Sequence, residues 1–375
     1  MSTASKTFTF TVSAPAQPGI PSWAQGAVNT WVEILGTSMG PAMLNPVPNW
    51  LSYSGGSLHP TTLKYYMMGG GHADDWQNNV MSIDLTLASP TWVRESQPTP
   101  LATLPGTSIN GFPYYPDGRP AATHNWSNTT QVIPSWGTQG RLVKFGANSV
   151  WGNGNGIYSS TDAWDIAAKE YTWLNTNYAT TPNGPNPTMA QWPGTSGVNC
   201  AAKDTNLGHV WCLAYGGYAP YRRWNCTNQT WDLAVANGYS EANRIMSFDS
   251  FRNRVVSFPG NSAANYFTTF NADGTGLATT TNTTGYQFSG GGCIIYEPTL
   301  DKFVWMQGHN GTTHPMFTIH PTTFAVTPLT QSGWTIPSVT QSSDQPHSRF
   351  CYIPNYKGVI FFNNVNTNVR FMRLA

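Results

Sequence analysis

The sequence predicts an all-β protein, and three observations carry that prediction. Charged residues make up only 9% of the chain while aromatics reach 13%, so the polar surface must be built from Thr, Ser, Asn and Gln, which suit strands and turns. The 36 glycines and 28 prolines are spread along all 375 residues, and long helices cannot be placed between them. Short apolar runs closed by turn residues recur throughout, the pattern of strands joined by tight connections. Aromatic and β-branched residues are too abundant for a disordered chain, low charge notwithstanding.

The strands fall into a repeated unit. Its clearest copy is Leu63-Lys-Tyr-Tyr-Met-Met-Gly-Gly-Gly-His72, then Asn79-Val-Met-Ser-Ile-Asp-Leu85, then Thr91-Trp-Val-Arg-Glu95. A strand over Trp50–Ser57 precedes it, which makes four antiparallel strands with short links. Similar units follow around Arg141–Leu174, Val210–Leu233, Arg254–Phe270 and Phe303–Ile319, and a sixth has strands at Gly358–Phe362 and Val369–Leu374. The sixth lacks an outer strand. Thr30-Trp-Val-Glu-Ile-Leu35 is unclaimed near the other end and has the form of the outer strands at Trp92, Trp173 and Trp231. The economical solution is a single six-bladed β-propeller over residues 30–375, its ring closed by the N-terminal strand completing the C-terminal blade. Residues 1–29 then form an N-terminal arm and linker.

The glycines after an apolar strand, the Asp-Leu strand and the following Trp resemble the kelch repeat, most clearly in the first unit. The resemblance implies a propeller and leaves activity open, because this fold carries many functions. Kelch-like propellers include a copper radical oxidase and a sugar mutarotase, but no Cys–Tyr and Tyr/His copper set can be assigned in this sequence.

Several function classes are disfavoured. Lys plus Arg number 18 against 17 Asp plus Glu, so no basic stripe is available for phosphate backbones and nucleic acid is not an expected partner. No run of 18 apolar residues could span a bilayer. The first residues, MSTASKTFTFTV, alternate Thr and Phe as a strand does and lack the regions of a secretory signal, so synthesis in the cytoplasm without a signal peptide is expected. Five cysteines without CxxC spacing read as buried free thiols. Acidic residues are scattered, no GxSxG elbow occurs, and no catalytic residue, cofactor or metal is assigned.

In the expected strand order, loops between second and third strands share one mouth with the loops entering first strands. His72, Asp74, Asp75, His124, His309, His347 and Arg349 gather there in sequence terms and are the candidate binding residues. Divalent-ion binding is one reading of His72-x-Asp74-Asp75; the plainer one is that these polar side chains hold the turns after the glycines. Ten aromatics in or beside long loops, Trp136, Tyr221 and Trp224 among them, are either inter-blade core or stacking surfaces for sugar or protein.

The arm supplies the remaining expectation. In Lys6–Val12, Phe8, Phe10 and Val12 share one face of a strand, and such a strand needs a sheet to pair with. Docking on a neighbouring subunit suits it. Together with the Thr/Asn/Gly-rich surface, this suggests a non-enzymatic structural or host-attachment component of a tailed-phage virion, at the tail or capsid surface, with neighbouring subunits docked through the arm and a host-surface glycan as expected partners. The alternative is a soluble kelch-like carbohydrate-binding protein or sugar-active enzyme using the histidine-lined mouth.

Overall fold

Every strand described belongs to one of six four-stranded antiparallel sheets. The computed structural model describes residues 19–44, 48–51, 54–69, 77–100, 117, 119, 129–150, 153–173, 198–214, 220–236, 244–259, 265–286, 288, 292–308, 315–334 and 346–375. Chain order begins with β1 (Trp31–Glu33), which is set aside for the last sheet. The first blade is β2 (Gly56–Leu58), β3 (Lys64–Met68), β4 (Val80–Asp84) and β5 (Trp92–Arg94). The second is β6 (Thr130–Ile133), β7 (Arg141–Val150), β8 (Asn153–Asp165) and β9 (Glu170–Trp173). The third is β10 (Val198–Lys203), β11 (Val210–Ala214), β12 (Tyr221–Asn225) and β13 (Thr230–Val235). The fourth is β14 (Ile245–Asp249), β15 (Arg254–Phe258), β16 (Tyr266–Asn271) and β17 (Ala278–Thr281). The fifth is β18 (Cys293–Glu297), β19 (Lys302–Met306), β20 (Met316–Ile319) and β21 (Val326–Pro328). The sixth takes β22 (Cys351–Ile353), β23 (Gly358–Phe361) and β24 (Arg370–Arg373) and is completed by β1, in the order β22-β23-β24-β1.

The closing strand is therefore where the sequence puts it. Trp31 pairs with Met372, Val32 with Phe371 and Glu33 with Arg370. Around the seam, Thr37 joins three elements: its amide donates to Asn368 Oδ1, its hydroxyl accepts from Val369 N, and its carbonyl accepts from Trp92 Nε1 at 2.8 Å. The first strands of successive blades lie beside one another, β10 against β14, β14 against β18, β18 against β22, β22 against β2 and β2 against β6. The protein is a six-bladed β-propeller.

One expected strand is shorter than the sequence suggests. Trp50 sits in a 3-10 turn, Pro48–Leu51, and only Gly56–Leu58 pairs as the first strand of its blade. Proline at the turn's start removes a ladder donor, and Trp50 serves instead as a fully buried filler between the first and sixth blades. The first strand also runs close to its neighbour: a Cβ on Gly55 would lie 1.7 Å from Ser348 Oγ. Only glycine fits there.

Six apolar clusters occupy the six interfaces between blades. Alternation along each strand decides which interface a side chain enters. In β3, Tyr65 and Met67 pack toward the sixth blade, whereas Tyr66 and Met68 pack toward the second. Both faces are covered, so the middle strands read as continuous apolar runs. Trp92 is inter-blade core, in edge contact with Tyr65 and Phe362. Trp136, Tyr221 and Trp224 are buried in the same way, which settles those three aromatics as packing. Cys200, Cys212, Cys226 and Cys293 are buried free thiols, and Cys351 is half-buried.

The segment leading into the ring is seated on it from Gly19 onward. Trp23 is buried against Tyr356 and Phe371, and its Nε1 donates to Leu87 O at 3.1 Å. The arm residues Phe8, Phe10 and Val12 lie outside the described residues. No helix among the described residues is long and apolar enough to cross a membrane.

Candidate functional site

One end of the propeller is built from a single hairpin design used again and again. At its first position stands Asp, Asn or His, whose side chain accepts backbone N–H groups two and three residues on. His59 Nδ1 accepts from Thr61 and Thr62, Asp165 Oδ1 from Ala167 and Ala168, and Asp204 Oδ1 from Asn206 and Leu207. Asn225 and His320 do the same in the third and fifth blades. The fifth position takes a left-handed backbone: φ is 55° at Leu63, 59° at Lys169, 80° at Gly208, 56° at Gln229 and 57° at Phe324. The repeated pentapeptides His59-Pro-Thr-Thr-Leu63 and His320-Pro-Thr-Thr-Phe324 were the sequence signal for it. These histidines are turn-holders.

Side chains tie the hairpins of adjacent blades together. Asn206 Nδ2 donates to Ser250 O and to Asn253 Oδ1. Arg252 donates to Asp301 at 2.6 and 2.7 Å and also pairs with Asp249. Tyr296 O–H donates to Asp301, and the Arg252 guanidinium beside that carboxylate lowers it to about 2. Tyr352 O–H donates to Glu297 at 2.5 Å, while burial and that carboxylate push the phenol well up. On this stapled face three successive hairpins leave apolar tips in solvent: Leu207 is 62% exposed, Phe251 75% and Leu300 39%.

Between the inner strands lies a central cavity of about 320 Å³, mostly apolar, with Phe248, Ile294 and Phe350 among its lining. Its polar corner lies where the first three blades meet. Thr129 accepts from Phe145 N on the paired side of β6, so by antiparallel alternation the N–H and C=O of Val132 face away from β7. Val132 N donates to Ser57 Oγ at 2.9 Å, and Val132 O accepts from Lys203 Nζ at 2.5 Å. Burial of the ammonium pushes Lys203 down to about 8. Burial also lowers His59, with the Lys203 charge adding to it, and burial raises the Cys226 thiol to about 12.

Two of the rim residues singled out by sequence are described, and both are buried. His347 and Arg349 belong to one 3-10 turn, His347–Arg349, and are 2% and 0% exposed. Arg349 Nη1 donates to Asn363 O at 3.1 Å, and the intervening Ser348 carbonyl accepts from Tyr65 O–H at 2.9 Å. His72, Asp74, Asp75, His124 and His309 lie outside the described residues. Among the described residues no three His, Cys, Asp or Glu side chains form a metal cluster. Sequence reasoning passed over Lys203 and Ser57, because nothing in the linear order brings two residues so far apart to one residue of a third blade.

The fold and its channel define a six-bladed β-propeller with one stapled face and a closed seam. No family model matches the chain, and no curated protein matches it. Among solved structures, a chain from "Crystal Structure of Mitotic Checkpoint Complex" is similar over 99% of both chains, at 10% identity and a TM-score of 0.44.

Proposed function

We propose that the protein is a non-enzymatic platform of kelch-like type that works by holding other proteins, as a structural or host-attachment component of a tailed-phage particle. The observation that carries this reading is the stapled face. Leu207, Phe251 and Leu300 are exposed at corresponding hairpins of three successive blades, and cross-blade bonds from Asn206 and Arg252 fix the loops that present them. Exposed apolar side chains on a rigid, polar-rimmed surface are the usual anchors of protein interfaces. Rigidity matters because ordering costs are then met before binding. The low charge of the chain and the Phe8, Phe10, Val12 strand pattern support the assembly part of the reading.

The test is incorporation. Purified particles should contain the chain in fixed stoichiometry by mass spectrometry. Leu207→Asp with Phe251→Asp should remove it from particles without changing the melting temperature of the free protein. A chain recovered only outside particles, or one whose incorporation ignores both changes, overturns the proposal.

A further inference from the structure

We propose that the central channel is a binding site for a small organic acid, whose carboxylate sits on Lys203 Nζ and the Ser57 hydroxyl and whose apolar body lies along Phe248, Ile294 and Phe350. This goes beyond the platform reading and does not depend on it.

The argument starts from unused hydrogen-bond capacity. An ammonium has three N–H donors, and Lys203 spends one on Val132 O. Ser57 Oγ accepts from Val132 N, which leaves its own hydrogen for a further acceptor. Both atoms reach the channel-facing side of the same peptide residue, from the first and third blades. They therefore bracket one spot on the inner edge of β6.

Charge points the same way. Among the described residues no carboxylate pairs with Lys203; its one hydrogen-bond partner is a carbonyl. The titratable groups facing it are His59, from the β2–β3 hairpin, and Cys226, from the β12–β13 hairpin. Burial favours the neutral form of each, and β6 offers no titratable residue. Asp204, the next residue and also buried, faces Cys226 as well, but its Oδ1 accepts from Asn206 and Leu207 N, so among the described residues no carboxylate bonds the Lys203 ammonium. An uncompensated cation at a partly desolvated site is costly, and an anion arriving there removes that cost. The remaining walls are mostly apolar and the cavity is about 320 Å³, near the lower end of small-molecule pockets at roughly 300 Å³. A ring or short chain bearing one carboxylate fits that combination of walls and corner. A fully hydrated inorganic anion would leave the apolar walls unused.

Benzoate, its neutral isostere benzamide and inorganic phosphate are the probes, with the full chain as receptor. Benzoate should bind by calorimetry and raise the melting temperature, while benzamide should do neither. Lys203→Met should weaken benzoate binding about tenfold or more, the scale of a charge-assisted hydrogen bond, and Ser57→Ala should weaken it by less. Affinity should fall as pH rises through about 8, where the Lys203 ammonium is lost, since His59 and Cys226 stay neutral across that range. If Lys203→Met fails to fold, the Lys203 Nζ resonance of the wild-type chain, shifted by benzoate and not by benzamide, carries the test. Equal binding of benzoate and benzamide, undiminished binding in Lys203→Met, or a response to phosphate without one to benzoate would each overturn the proposal.

Discussion

Gln229 is a bulky, exposed residue held at φ 56° so that a hairpin can close around Asn225. The left-handed region costs a residue with a Cβ about 1–2 kcal/mol, and glycine escapes that cost while losing more chain entropy. Gln229→Gly should therefore stabilise the protein by about 0.5–1 kcal/mol in urea unfolding, and Gly208→Ala should destabilise it by a similar amount. The first position of the same turn titrates. The Asp165 carboxyl is lowered from its usual range, first by the Ala168 amide and then by Arg141. A carboxylate lowered on folding adds stability above its unfolded value near 4, and that stability is lost as pH falls through the folded value. Asp165→Asn keeps the side-chain acceptor, as Asn225 shows, but removes the charge. Stability should drop by about 1 kcal/mol at pH 7 and by almost nothing at pH 2, so the variant's acid limb should be shallower than wild type in thermal melts. The sequence showed short strands closed by turn residues but did not assign the amide-accepting side chains that hold those turns, although the repeat of His59-Pro-Thr-Thr-Leu63 at His320-Pro-Thr-Thr-Phe324 marks two of them.

At the scale of elements, the seam is the decisive test of topology. Removing residues 1–36 should take away β1 and the Ile34 carbonyl that accepts from the Thr37 hydroxyl, leave β24 with a bare edge and prevent cooperative folding. Removing residues 1–18 should leave the melting temperature nearly unchanged, because Trp23 and everything it packs against remain. Two truncations that behave alike in calorimetry would contradict the closing role of β1. Trp92→Ala should cost about 3–5 kcal/mol, as expected for an aromatic deleted from packed core; a loss below about 1 kcal/mol would place it outside the interface described. The seam was legible because Trp31 carries the form of Trp92, Trp173 and Trp231, all outer-strand residues. The fourth and fifth outer strands carried no such mark: Ala278–Thr281 and Val326–Pro328 are largely exposed and have no aromatic to announce them. The first strand of the first blade was overdrawn toward Trp50, since a buried tryptophan beside a proline looks alike in a strand and in a 3-10 turn.

For the whole molecule, each blade is covered on both faces only by its two neighbours, and no blade has an independent core. Unfolding should accordingly be one transition, with fluorescence and circular dichroism coinciding despite six repeats. The stapled face and the channel corner were invisible in sequence for one reason. Arg252 with Asp301, and Lys203 with Val132, are partners chosen by the angle between blades, which no local pattern encodes.

The seam also sets a clock on synthesis. Glu33 accepts from Asn368 across 335 residues of chain, so β1 is made well before β24 and waits, partnerless, until the sixth blade has been made. At about 5–20 residues per second, that wait lasts tens of seconds. During it Trp31 has neither Met372 beside it nor Gln331 for its indole N–H. When β24 is finally made it presents one bare edge, and on crowded ribosomes the loose β1 of another copy can reach that edge as well. Exchange of β1 between copies, the same pairing made between two chains instead of within one, is the assembly error the seam invites.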